Sequence, residues 1–330
     1  MLVANPNLCL DRTISLPELR VGAVHRSREA VVTAGGKGVN VARVLRAHGH
    51  APVVAGFVPT EDGDRLRRLL AGEGAELAEV SVAGTTRVAT VLVEDRGRVT
   101  VVNEPGPTVD AKAWTAYRRL VVDRAGTSDV VVCTGSLPPG APDDGYGQLV
   151  AAAREHGCAV VVDAARAALA GALLAGPDLV SPNLAEAEAV LAVGDGALAP
   201  AVEQVDDTAA DVIARAATAA EGLVAAGARR AAVTVGAAGI VLAHPRGSGP
   251  GAVEIVAVAA PAVDVVSPVG AGDSFVGGVV HGRSLGEDWV DAVRRGVATA
   301  SASCERLRAG LIDLARVEEL LARTAVRSPA

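Results

Sequence analysis

Short apolar runs alternate with helical patterns along most of this chain. The run Pro52–Val58 is followed by Gly63–Gly72, whose leucines repeat at helical spacing among charged residues. Further apolar runs that predict strands are Leu2–Ala4, Asp129–Thr134, Ala159–Val162, Leu179–Val180 and Ala231–Val235. Strands separated by helices pair in parallel, because the crossover helix returns the chain to the same end of the sheet. The pattern predicts an α/β fold whose mostly parallel sheet carries helices on both faces. One stretch, Gly194–Asp207, has no period and predicts a surface loop.

Composition limits the partners and the setting of the protein. The chain has 330 residues, of which 50% are hydrophobic and only 2% aromatic, so its core must be large and aliphatic. A net charge of −7 argues against binding to nucleic acid or to anionic membranes. No stretch has the pattern of a signal peptide or reaches the roughly 18 apolar residues of a membrane span. We therefore expect a cytoplasmic protein.

The cysteines and histidines show no metal-binding pattern. The four cysteines are scattered without CxxC spacing, which favours free thiols in a reducing compartment over a zinc site. His244 and His281 have no partners at metal or triad spacing. Each of these two histidines is therefore expected to be an ordinary surface or packing residue.

Two regions mix polar and apolar residues and predict a sheet with one wet face. The first covers Leu8–Leu16 and Val21–Val32, and the second is a hairpin formed by residues 87–93 and 98–102. Asp11 in the first region could hold a sugar hydroxyl, although a solvated strand residue is an equal alternative. Arg87 at the start of the hairpin could clamp a phosphate, but a single arginine is weak support.

A glycine turn before a helix predicts an anion site near the end of the chain. Val269–Phe275 follows the apolar run Ala262–Val266 and contains Gly270 and Gly272 on either side of a small residue. Its amides and the positive end of the helix suit a phosphate whose charge grows during reaction. Asp273 in the same turn could take a proton from a hydroxyl held there. The ordinary alternative is a glycine turn with Asp273 as the helix N-cap.

A second glycine cluster, Gly35–Gly38, opens a helix near the start of the chain. It contains Lys37, one of only two lysines in a chain that otherwise uses arginine. The cluster is not a Walker A loop, because Val31 occupies the position of the first glycine of that motif and Gly38 occupies the position of its Ser/Thr. The cluster predicts a close approach of the backbone to a ligand, with Lys37 and Asn40 as donors. The alternative is a glycine-started helix with an exposed lysine.

Two further groups follow predicted strands, where active sites of open α/β sheets lie. One is the loop Gly135–Gly140, which includes Ser136. The other is Asn183 with Glu186, which lie three apart at a helix start and can face one point. That point could be a hydrated Mg²⁺, which prefers oxygen ligands, or the pair could simply start the helix.

The motifs together resemble a known family. Gly35–Ala42 and Gly270–Ser274 are similar to the paired signatures of the ribokinase-like, or phosphofructokinase B, carbohydrate kinases, and their order and separation match over nearly the whole chain. Within that family, Asn5–Asp11, Asn103–Pro107 and Gly135–Gly140 most resemble the bacterial 1-phosphofructokinases, with the tagatose-6-phosphate kinases as near neighbours.

The resemblance implies a Rossmann-like three-layer sandwich forming one domain over residues 1–330. A small β-sheet lid would consist of segments at about 8–32 and 86–103, and subunits would pair through it as a homodimer. The implied activity is Mg²⁺-ATP-dependent phosphoryl transfer to a hexose phosphate, first of all to O6 of fructose 1-phosphate. Tagatose 6-phosphate and fructose 6-phosphate are the alternative acceptors within the family.

The resemblance also assigns roles to individual residues. Asp273 would be the base, and the amides of Gly270, Ala271 and Gly272 would form the anion hole. The substrate would be held by Asp11, Gly35, Gly36, Lys37, Asn40, Arg87, Asn103 and Ser136, with Lys37, Arg87 and Asn103 on its phosphate. The nucleotide would be held by Asn183, Glu186, Thr234, Gly236, Gly239 and Ser303, with Glu186 reaching Mg²⁺ through water.

The chain departs from the family pattern at two positions, and three other functions remain as alternatives. Ser181 stands where close relatives usually have lysine, and Pro268 stands where they have threonine, which removes a hydroxyl and an N–H. An adenosine, ribose or 2-keto-3-deoxygluconate kinase would not need Lys37 and Arg87. A non-catalytic sugar-phosphate sensor would not need Asp273. A dinucleotide oxidoreductase is disfavoured, because no strand–GxGxxG–helix unit is present.

Overall fold

Two separate β-sheets organise the protein, for which a computed structural model describes residues 1–192, 211–246 and 253–327. The predicted loop Gly194–Asp207 lies outside the described residues. The strands are β1 (Leu2–Ala4), β2 (Cys9–Leu16), β3 (Glu29–Gly35), β4 (Val53–Pro59), β5 (Glu76–Val82), β6 (Val88–Glu94), β7 (Val99–Asn103), β8 (Val130–Thr134), β9 (Ala159–Asp163), β10 (Leu179–Val180), β11 (Ala231–Thr234), β12 (Ile240–Pro245), β13 (Val253–Ala259) and β14 (Ala325–Arg327).

Within the described residues, ten strands form the larger sheet, in the order β14-β13-β12-β11-β10-β9-β8-β1-β4-β5. Every pairing from β5 to β11 is parallel, and β12, β13 and β14 add an antiparallel edge. The mostly parallel sheet predicted from the alternation of strands and helices is confirmed. The loops after β1, β8, β9 and β10 leave this sheet at the carboxyl ends of their strands, where sites of open α/β sheets lie.

Helices cover both faces of the larger sheet. They are α1 (Lys37–Ala47), α2 (Gly63–Gly72), α3 (Ala111–Ala125), α4 (Gly145–Glu155), α5 (Arg166–Leu174), α6 (Leu184–Leu191), α7 (Val212–Ala225), α8 (Ala271–Ser284), α9 (Trp289–Cys304) and α10 (Leu314–Arg323). Because successive strand residues point to opposite faces, Leu2 and Ala4 of β1 belong to the core under α3–α7, whereas Val3 belongs to the core under α1, α8 and α9. None of the helices in the described ranges combines the length and apolarity that a membrane span needs.

The smaller sheet has the order β3-β2-β6-β7 and is formed by the segments predicted for the small sheet, with one difference. The strand expected over Val21–Val32 begins only at Glu29. Val21 and Val24 are fully or almost fully exposed, because they have no second apolar layer to cover them. The apolar run Ala262–Val266 likewise forms no strand, since β13 already ends at Ala259.

Helices α1, α8 and α9 pack unusually closely because glycines lie between them. A Cβ built on Gly277 of α8 would lie 2.6 Å from a methyl group of Val44 in α1. A Cβ on Gly278 would lie 2.6 Å from the hydroxyl of Thr299 in α9. Only glycine permits such separations, and they bring the first turns of α1 and α8 together.

Candidate active site

The glycine turn before α8 places a buried carboxylate at a helix N-terminus. Gly270, with φ of 79°, is the N-cap, so the alternative that Asp273 caps the helix is wrong. Asp273 lies in the first turn with only 5% of its surface exposed. The N–H of Ala271 donates to the carbonyl of Pro268 at 3.2 Å, whereas the N–H groups of Gly270 and Gly272 have no acceptor within the described residues. Two of the three predicted anion-hole amides are therefore open to a ligand.

The Asp273 carboxyl has an unusually high pKa for an aspartate. Burial raises its pKa to about 7, against the positive charge of Lys37 and a hydrogen bond from Asn40, which both lower it. The carboxylate of Asp163 raises this pKa further. A carboxyl with a pKa near neutrality can accept a proton from a substrate hydroxyl at physiological pH.

The second glycine loop meets Asp273 directly. Gly36, with φ of 110°, is the N-cap of α1, and the amide of Gly38 donates to Oδ1 of Asn5 at 3.0 Å. Nδ2 of Asn40, one turn into α1, donates to Oδ2 of Asp273 at 2.8 Å. The two loops, more than 230 residues apart in sequence, therefore share one site.

Lys37 lies among three carboxylates of this site. Its Nζ lies 3.3 Å from the Asp163 carboxylate, while its side chain stays 42% exposed. Burial lowers the pKa of Lys37, but the carboxylates of Asp163, Glu186 and Asp273 outweigh it and hold the pKa above its ordinary value. The lysine is thus permanently charged and surrounded by three carboxylates.

Asp163 was not predicted as a site residue. It ends β9, is 4% exposed, and accepts a hydrogen bond from Thr134 at 3.0 Å. Its position directly after a buried parallel strand was the available signal, because such positions converge at one edge of the sheet.

Asp11 lies against the first glycine of the loop. A Cβ on Gly35 would lie 2.3 Å from the Asp11 carboxyl carbon, so a larger residue there would displace the Asp11 carboxyl. Burial raises the pKa of Asp11, and a hydrogen bond from the Cys9 thiol at 3.2 Å lowers it. Asp11 is therefore held at the junction of the small sheet and α1.

Arg87 connects the small sheet to two loops of the site. Its Nη2 and Nε donate to the carbonyl of Asn7 at 2.9 and 3.2 Å, and its Nη1 donates to the carbonyl of Glu104 at 3.3 Å. Asn7 also donates to the hydroxyl of Ser136 at 3.0 Å. Asn103 is exposed at the end of β7 and pairs with a residue of β6. Arg87 beside the small sheet and Ser136 in the loop after β8 are therefore linked through Asn7.

The predicted nucleotide residues fall into one connected group and one separate residue. Asn183, in the loop after β10, forms a parallel bridge with Thr234 at the end of β11. Gly236 and Gly239 lie in the turn after β11, with φ of 56° and 108°. Ser303 instead lies inside α9, is 2% exposed, and donates its hydroxyl to the carbonyl of Ala300 at 2.7 Å.

Asn183 and Glu186 form a capping box at the start of α6. The Asn183 side chain accepts from the amide of Glu186, and the Glu186 carboxylate accepts from the amide of Asn183, both at 2.9 Å. This is the helix-start alternative considered from the sequence. The carboxylate also acts on Lys37, so it lies close enough to influence the site.

The two departures from the family pattern have different surroundings. The Ser181 hydroxyl is buried and has no hydrogen-bond partner within the described residues. At the other departure, the hydroxyl of Ser267 accepts a hydrogen bond from the amide of Val269 at 3.3 Å. A hydroxyl therefore still supports the glycine turn, one residue before Pro268.

Comparison with known proteins agrees with this arrangement. The family model described as pfkB family carbohydrate kinase matches residues 6–314. The chain belongs to the pfkB family of carbohydrate kinases. It is therefore a phosphotransferase that acts on a sugar hydroxyl, and membership implies ATP as its other substrate.

Three proteins illustrate the relationship of this pfkB kinase to its family. A 1-phosphofructokinase of Rhodobacter capsulatus is 35% identical over 89% of this chain and 86% of its own. The structure of phosphofructokinase-2 from Escherichia coli in complex with potassium has a TM-score of 0.82 at 26% identity and covers 98% of both chains. Another structure of that Escherichia coli enzyme is described as a tetrameric inhibited form. A ribokinase of Thermotoga maritima, at 21% identity over 97% of this chain and 98% of its own, has a TM-score of 0.71 and shows the shared fold. The predicted ribokinase-like fold is confirmed.

Proposed function

We propose that this kinase transfers the γ-phosphoryl group of ATP to O6 of fructose 1-phosphate, giving fructose 1,6-bisphosphate and ADP. The observation that carries the proposal is the contact between the two glycine loops: Asn40 of one holds the buried Asp273 of the other. The name of the Rhodobacter capsulatus relative supports the choice of acceptor.

The chemistry assigned to the site is a direct transfer. Asp273 takes the proton of the 6-hydroxyl while the oxygen of that hydroxyl attacks the γ-phosphorus. The bond from that phosphorus to the ADP oxygen breaks. The open amides of Gly270 and Gly272 would stabilise the negative charge that develops on the transferred group. The raised pKa of Asp273 supports its role as the base.

The acceptor would bind between the small sheet and the start of α1. Asp11, Gly36 and Asn40 would hold its hydroxyls. Its phosphate would lie on Lys37 and Arg87, with Asn103 and Ser136 at the rim. The position of Arg87, which already joins the small sheet to the loop after β1, supports this assignment.

The nucleotide would lie along the loops after β10 and β11, on Asn183, Thr234, Gly236 and Gly239. Mg²⁺ would be held through water by Glu186, because Mg²⁺ binds few protein carboxylates and keeps several waters. It would supply positive charge to the ATP phosphates. The Glu186 carboxylate raises the pKa of Lys37, so its negative charge lies near the site. This supports the placement of Mg²⁺ at Glu186.

We further propose one domain over residues 1–330, with the small sheet as a lid that excludes water from the reaction. Val31, Val101 and Val102 of this sheet are between 42% and 57% exposed, which supports pairing of two lids in a homodimer. Light scattering of the purified protein tests this: a dimer supports it, and a monomer or a tetramer refutes it. The cytoplasm is the proposed setting, where ATP is available and the four free cysteines stay reduced.

Consumption of ATP with different acceptors tests the proposal. Turnover with fructose 1-phosphate should exceed turnover with fructose 6-phosphate, tagatose 6-phosphate and unphosphorylated fructose. A preference for either of the other phosphates would assign the corresponding kinase within the family. Binding of sugar phosphates without ATP consumption would instead favour a sensor.

A further inference from the structure

Arg43 is a buried arginine in α1, one turn after Asn40, with 8% of its surface exposed. A guanidinium has five N–H donors and no acceptor, and burying it without partners would be costly. The partners of Arg43 therefore indicate what its position serves.

The guanidinium of Arg43 binds four different segments. It forms a two-pronged ion pair with Glu73, with Nε–Oε2 at 2.7 Å and Nη2–Oε1 at 3.0 Å. Nη1 donates to Oδ1 of Asn40 at 2.6 Å and to the carbonyl of Ala309 at 3.4 Å. Nη2 also donates to the carbonyl of Ala34.

These contacts fix which way the Asn40 amide faces. Arg43 can only donate, so the atom of Asn40 that it meets must be the oxygen. The amide nitrogen then faces Asp273, whose carboxylate can only accept. If the Asn40 amide were rotated by half a turn, its N–H group would face the N–H group of Arg43. Its oxygen would then face the Asp273 carboxylate, so neither contact could be a hydrogen bond. The amide is therefore held in the one orientation that supports an ionised Asp273.

The other two contacts of Arg43 reach both glycine loops. Ala34 directly precedes the first of them. Ala309 packs against the second, because a Cβ on Gly270 would lie 2.6 Å from the Cβ of Ala309. One side chain thus connects the two backbone turns and the amide between them.

We propose that Arg43 is a positioning residue for phosphoryl transfer, which holds Asn40 so that its N–H group stays on the Asp273 carboxylate. Arg43 acts through Asn40 and touches no substrate itself. The inference rests on the proposed role of Asp273 as the base.

Steady-state kinetics of Arg43→Ala and Arg43→Lys test the effect on turnover. Arg43→Ala should lower kcat about 10- to 100-fold while changing the KM for ATP less than about threefold, because a misplaced base slows the chemical step. Arg43→Lys keeps the charge but not the forked arrangement of N–H donors. This variant should fold, and its kcat should lie between those of the wild-type protein and Arg43→Ala. Arg46→Ala is the matched control, since it removes an exposed arginine from the same helix.

Titration of the Asp273 carboxyl by ¹³C NMR in the unliganded protein tests the contact without activity. Loss of the signal in Asp273→Asn assigns it. The pKa should rise by about half a pH unit or more in Arg43→Ala and by less in Arg43→Lys, because Asn40 no longer holds the carboxylate form. Because no turnover is measured, this result stands even if Asp273 proves not to be the base.

Two results would overturn the inference. One is a folded Arg43→Ala protein with the wild-type kcat and the wild-type Asp273 pKa. The other is complete restoration of both by Arg43→Lys, which would show that charge alone suffices. Where Arg43→Ala does not fold, Arg43→Lys decides the question.

Discussion

Replacing the buried carboxyl of Asp273 with an amide should make the protein less active but more stable. Burial raises the pKa of Asp273 from 3.8 to about 7 in the folded state. As pH rises from about 4 to about 7, the unfolded chain loses this proton while the folded chain keeps it. The folded state is therefore progressively destabilised across that window, and Asp273→Asn removes the effect.

The size of the stability gain follows from the pKa. Each pH unit between the two pKa values costs about 1.4 kcal/mol, so ionised Asp273 costs the folded state about 4 kcal/mol above pH 7. At pH 5 the cost is only about 1.5 kcal/mol. The free energy of unfolding gained by Asp273→Asn should therefore be about 2–3 kcal/mol larger at pH 8 than at pH 5. The attraction of the ionised carboxylate to Lys37 is already contained in the pKa of about 7, so it is not counted again.

Urea unfolding at pH 5 and pH 8 measures the difference, and kinetics of the same protein measure the loss of activity. Turnover should fall by about 10²-fold or more, since the base is gone. Asp264→Asn, an exposed carboxyl in the segment before the same glycine turn, is the control and should change neither quantity. An equal stability gain at both pH values would refute the raised pKa. Near-normal turnover would remove Asp273 from the role of base.

Three further outcomes follow from the site. Lys37→Ala should raise the KM for the sugar phosphate and also shift the acid limb of the kcat profile upward, because Lys37 lowers the pKa of Asp273; an unchanged KM would point to an unphosphorylated sugar. Gly35→Ala should abolish acceptor binding while ATP binding, measured by calorimetry, persists, because the new Cβ would displace Asp11. Gly270→Ala should destabilise the protein by about 1–2 kcal/mol in thermal unfolding, because its φ of 79° disfavours other residues; an unchanged melting temperature would contradict this.

The local features of the chain could be predicted from the sequence because they depend on neighbouring residues. A helix follows each of the two glycine loops, as predicted, since glycine and the apolar period determine where a helix begins. The parallel sheet follows from the alternation of strands and helices. The strand expected at Val21–Val32 was placed too early, because its apolar residues have nothing to pack against.

The pairings between remote residues could not be predicted in the same way. Nothing near Lys37 in the sequence indicates its ion pair with Asp163, which lies 126 residues away. His281 is a packing histidine, as expected, but its partners are remote. It stacks on His48 at 3.8 Å between ring centroids and meets His50 at 2.9 Å between ring nitrogens. Only the packing of helices decides such contacts.

The contacts of His281 also explain how the site is aligned. Helices α1 and α8 meet at three levels: Asn40 with Asp273 in their first turns, Val44 with Gly277 in the middle, and His48 with His281 at their ends. Three successive contacts of this kind require the two helices to run side by side in the same direction. Both positive helix ends therefore lie side by side, and their fields add at the place assigned to the transferred phosphoryl group. A protein with a net charge of −7 can in this way gather anions without a basic surface.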